Sequence, residues 1–112
     1  MLLWQSHQEA GVSKGHPIYK RLLKERVDLH IEKSGGYGTG DDPFANFTAV
    51  ANLAGQPRYL YPCHRAIEKL TRVMSLHEQG RVAELPEEFA DIASLMDCAH
   101  AMLLEDEQDG FA

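Results

Sequence analysis

The acidic residues of this 112-residue chain recur at spacings that suit a bound cation. In "LPEEFADIASLMDCAHAML", residues 85–103, Glu88 and Asp91 stand three apart, so a helix carries both on neighbouring positions of one side. Glu25, Asp28 and Glu32 repeat at i, i+3 and i+7 and make one acidic face of an earlier helix. Glu68 follows His64 by four. Such groups could hold Mg²⁺, a hard cation that takes a few carboxylates and keeps several waters. Lys69 and Arg72, three apart, could grip a phosphate, Arg as a fork and Lys as a point charge.

Each set also has an ordinary reading. A carboxylate in a first helical turn gains about 0.3–1 kcal/mol from the helix dipole. Arg21, four residues before Glu25, eases a wet acidic face. His64 with Glu68, and Lys69 with Arg72, are pairs that exposed helix surfaces commonly carry.

A helix advances about 100° per residue, which lets faces be compared. On the last helix Phe89, Ile92, Leu95, Met96, Ala99, Met102 and Leu103 form one apolar stripe. Glu88 falls inside it, between Leu95 and Ala99, and Asp91 borders it. Glu87 and Asp97 point elsewhere. A carboxylate on a core face is costly unless it is paired or holds a cation. On the helix before, Ile67, Leu70, Val73 and Met74 make the stripe, with His64 and Glu68 opposite.

The elements that must position these residues are helical. A helix is expected from Pro17 to about Lys33, with Pro17 in its first turn and "SGG" at 34–36 as its stop. A short one covers 43–54, with Asp42 as a cap and Phe44, Phe47, Val50, Ala51 and Ala54 on one face. A third covers about 60–78, closed by Gly80, and a fourth about 86–105. No segment has a period of two, so no strand is expected. The fold class is all-α: three longer helices and a short one in a small bundle. Residues 1–16 read as an irregular arm, 17–105 as a single helical domain, and 106–112 as an acidic tail, with "EDEQD" at 105–109 solvated. A chain this short buries only about two-thirds of its unfolded surface, so a homodimer or homotetramer is expected to complete it.

The formal net charge of −6 argues against non-specific binding to nucleic acid. No apolar run is long enough to span a bilayer, and "MLLW" is too short for a signal peptide. Cys63 and Cys98 share no metal spacing and read as reduced thiols in a cytoplasmic protein. "GGYGTG" follows a helix, so it is neither a Walker loop nor a dinucleotide fingerprint.

"EEFADIASL", Glu87 to Leu95, resembles the E-E-[LF]-x-D-[IV] segment of the MazG-like all-α nucleotide pyrophosphohydrolases. A wider likeness joins "KSGGYGTGDDPFANFTAVANL", "KLTRVMSL" and "EEFADIASLMDCA". In that order they are similar to small phage-borne MazG-like proteins with R-x-x-x-Y-G-x-P-x-x-N-F-x-x-I-A, then K-x-x-R-L, then D-[IV]-A-x-Y-A. The likeness picks out Tyr37, Gly38, Asn46 and Phe47, then Lys69 and Arg72, then Glu87, Glu88 and Asp91. It departs at the family's ExxE segment. Glu68 lies at a suitable distance, but positions 65 and 71 are Arg and Thr.

The resemblance implies an enzyme that cuts a nucleoside triphosphate, ribo or deoxy, to monophosphate and pyrophosphate with Mg²⁺, or Mn²⁺ in its place. Glu88 and Asp91 would be metal ligands, completed by Glu68, Glu25 or Asp28. Glu87 would take the proton from the attacking water. Lys69 and Arg72 would offset phosphate charge. Tyr37 or Phe47 would stack on the base and Asn46 read its edge, although both aromatics also suit plain packing. The alternative is a non-catalytic helical interaction module, or a nucleotide-binding phage accessory protein without turnover.

Overall fold

The computed structural model describes residues 14–36 and 42–109. Among these it is all-α, with four helices and no strand. They are α1 (Pro17–Gly36), α2 (Ala45–Ala54), α3 (Leu60–Glu78) and α4 (Leu85–Gln108), with one 3₁₀ turn, Val82–Glu84, before α4. No helix among the described residues is long and apolar enough to cross a membrane. The arm up to residue 13, Tyr37 and Gly38 lie outside the described residues.

Where the sequence reading has one domain over 17–105, the chain divides into two compact units, 1–33 and 34–112. The first contains most of α1. That helix runs past the expected stop to Gly36, because glycine weakens a helix without forbidding it. Its large apolar side chains, Ile18, Leu22, Val27 and Ile31 among them, are exposed. Its acids are paired along its own surface: Arg21 with Glu25 at 3.5 Å and Lys24 with Asp28 at 3.0 Å.

The second unit is built on α3 and α4, which pack against each other as a hairpin. Local chemistry sets its corners. Asp42 accepts a 2.9 Å hydrogen bond from the Phe44 amide, so it orders the turn before α2 and does not cap the helix itself. Gly55 adopts the left-handed conformation that ends α2. Pro62 lies in the first turn of α3, where an amide needs no intrahelical partner. Gly80, at φ 72°, turns the chain toward α4, and Pro86 opens it.

The core is thin: Phe44, Ala51, Ala66, Leu76 and Met102 are its buried apolar residues. On α3 the buried line is Pro62, Ala66 and Leu76, with Val73 half-buried. This corrects the expected stripe, since Ile67, Leu70 and Met74 are 60%, 50% and 63% exposed. α3 carries more apolar surface than α4 can cover, and α4 meets the side that bears the smaller residues. On α4, Met102 is buried and Ile92, Leu95, Ala99 and Leu103 are half-buried, while Phe89 and Met96 stay exposed.

The expected acidic tail is a second correction. α4 continues through Gln108, and Glu105 and Asp106 clasp Arg58 from the turn before α3. The Arg58 guanidinium donates to both Asp106 oxygens, to Glu105 at 2.6 Å and to Thr48 Oγ1 at 3.3 Å. It also lies over the Phe44 ring, which continues through Phe47 to Tyr61 in an aromatic cluster. Its side chain is only 11% exposed, and its acidic partners hold its pKa above the usual arginine value. Removing it strands Asp106. Arg58→Ala is therefore expected to cost about 2–3 kcal/mol in urea unfolding. Arg58→Lys should recover less than half of that, because a point charge cannot reproduce the fork.

Candidate functional site

Glu88 is the buried charged residue among those described, at 7% exposure. It sits in the first turn of α4 on the face that meets α3, where the helical wheel places it. Asp91 is half-buried at the border of that face, and Glu87 and Asp97 are exposed. The sequence therefore sorts these four acids as the structure does.

What faces them is basic. Arg72 forms a close ion pair with Glu88. Lys69 donates to Asp91 at 3.1 Å and stands 3.9 Å from Glu88. Both bases come from α3, because their spacing of three brings them to the flank that borders α4. Lys69, Arg72, Glu84, Glu87, Glu88 and Asp91 line one open hollow of about 380 Å³. At its rim Arg81 holds Glu84 through two hydrogen bonds and keeps that carboxyl below its usual pKa. Lys69 and Arg72, chosen by one motif, and Glu87, Glu88 and Asp91, chosen by another, thus meet in one place.

The other candidates do not join them. Glu68 is exposed and bonded to Arg65 at 3.2 Å, one turn back on its own helix. Glu25 and Asp28 belong to α1 and are paired there. Asn46 is exposed. Phe47 is half-buried, its ring 6.5 Å from Phe44 and 5.6 Å from Tyr61, so it packs within the fold. Among the described residues no three His, Cys, Asp or Glu side chains gather as a metal ligand set. With Glu88 and Asp91 already matched by cations from α3, Mg²⁺ does not fit the hollow as it is arranged.

The Arg58 clasp escapes a reading based on motifs, yet one signal points to it. Asp106 stands eighteen residues after Glu88, which is about five whole turns. The wheel therefore puts both carboxylates on the same apolar stripe, and a second core-facing acid demands a second base.

No family model, curated protein or solved structure matches this chain. The reading of the hollow rests on its own chemistry. Cys98 does not strengthen a nucleophilic one: burial, and then the Asp97 charge, push its thiol above its usual pKa. Cys98 should react with iodoacetamide more slowly than free cysteine at the same mildly alkaline pH, because less of it is thiolate.

Glu88 offers a sharper test. Glu88→Gln keeps the shape but removes the charge that Arg72 and Lys69 meet, and should lose about 1 kcal/mol in urea unfolding. Glu88→Met fills similar volume without a burial penalty. It leaves Arg72 56% exposed to water, so it should match the parent or exceed it.

Proposed function

We propose that this protein is a non-catalytic helical interaction module that works through the exposed apolar flank of its α3–α4 hairpin. One observation carries the reading: Ile67, Leu70 and Met74 form a stripe at helical spacing that the fold leaves half or more exposed. Contiguous apolar surface of this kind marks an interaction site. The acids support the same reading. Glu88 and Asp91 are matched by Arg72 and Lys69, so they act as a clasp between two helices.

A second reading is favoured by the convergence of Lys69, Arg72, Glu87, Glu88 and Asp91 on one hollow. It is the nucleotide pyrophosphohydrolase that the resemblance implies, or a nucleotide-binding relative without turnover. Basic groups there would meet phosphate oxygens only after leaving Glu88 and Asp91. No step through Mg²⁺ is assigned, since no ligand set for it is assembled among the described residues.

Incubation with the common ribo- and deoxynucleoside triphosphates and Mg²⁺ separates the two. The module reading expects no pyrophosphate, and the same melting temperature with and without Mg²⁺ for the parent and for Glu88→Gln. Pyrophosphate release that Glu88→Gln abolishes would overturn it in favour of the enzyme.

A further inference from the structure

We infer that the partner of this module is a second copy of the chain, docked face to face on the apolar flank of the α3–α4 hairpin; the inference rests on the interaction-module reading. The flank is placed by the two sides of the helix pair. On α3, Arg72 lies roughly 80° to one side of the buried line, while Ile67, Leu70 and Met74 lie about 80–140° to the other. On α4, Asp91 and Glu87 lie to one side of the line through Glu88, and Phe89 and Met96 about 80–100° to the other. Lys69, Arg72, Glu87 and Asp91 share the hollow, so they define one flank. Ile67, Leu70, Met74, Phe89 and Met96 therefore share the opposite one, three from α3 and two from α4.

Area favours a copy of the same surface. These five residues are 39–63% exposed, which amounts to roughly 500 Å² at about 200 Å² for a large apolar residue. Two copies face to face would cover about 1,000 Å² before any polar rim is counted, which reaches the lower bound for a specific interface. The surface is also its own complement. Lys69 pairs with Asp91 and Arg72 with Glu88, so residues level with each other across the hairpin have numbers that sum to a constant. By that rule Ile67 is level with Ala93, and Leu70 with Ala90 and Phe89. A twofold axis parallel to the helices sets each α3 over the α4 of the other copy, antiparallel, as in a four-helix bundle. Ile67 then meets the small partner's Ala93, a projecting side chain over a recess. The pair closes a core that Ala66, Leu76 and Met102 barely supply within one hairpin.

Sedimentation equilibrium of the full chain from low to high micromolar concentration tests this. The unaltered protein should show the mass of two chains. The double variant Leu70→Glu with Met74→Glu, and separately Phe89→Glu on the other row, should show one, with helix content by circular dichroism unchanged. Glu87→Gln, on the opposite flank, should stay a dimer. A single-chain mass for the unaltered protein at high micromolar concentration overturns the inference, as does a dimer that persists in both charged variants. The module reading fails on a different result, pyrophosphate release, whatever the mass.

Discussion

Two carboxylates on the core face of one helix govern this fold. Glu88 and Asp106 lie about five turns apart on α4, on the line that also carries Ala99 and Met102. Neither can be withdrawn from water without a counter-charge. Arg72 with Lys69 answers at one end, and Arg58 at the other. The apolar contacts between these points are few and small, and such contacts tolerate sliding. The Arg58 pair does not, because its guanidinium fork meets both Asp106 oxygens in one geometry. The clasps thus fix how α3 lies along α4, and the packing between them fills what they enclose.

The same arrangement explains why α3 has a charged side and an exposed apolar side. Packing ridges on a helix are wide, and an apolar arc broader than one neighbour can cover has to leave some of its residues outside. The charges decide which. Because Lys69 and Arg72 must reach α4, α3 is rotated so that Ala66 and Leu76 face inward. That rotation carries Ile67, Leu70 and Met74 out to the far flank. Polar and apolar surfaces are therefore separated by the hairpin itself, on opposite flanks.

Much of this was legible in the residues. Period, prolines and glycines place the four helices within a few positions, and the wheel singles out Glu88 from its acidic neighbours. What failed did so for identifiable reasons. The stripe on α3 reads as core in the sequence, because periodicity reports amphipathicity without saying which neighbour, if any, covers it. The "EDEQD" run reads as solvated by its composition, while Asp106 owes its place to its angle on α4. The pairing of Arg58 with residues 48 positions away has no local spacing to betray it. The 3₁₀ turn at Val82–Glu84 was too short to be seen. Tyr37, which the family resemblance selects, lies outside the described residues.

The distance along the chain between Arg58 and Asp106 makes one contact conditional on another. The α3–α4 hairpin closes over a short turn, so its contacts form with little loss of chain entropy. The Arg58 clasp, by contrast, shuts a loop of 48 residues and draws α2 and the aromatic cluster in with it. It rewards the chain only after the hairpin exists to present Asp106 and Glu105 together. The clasp therefore depends on the hairpin, and whatever parts α3 from α4 at that end also releases α2 and the aromatic cluster.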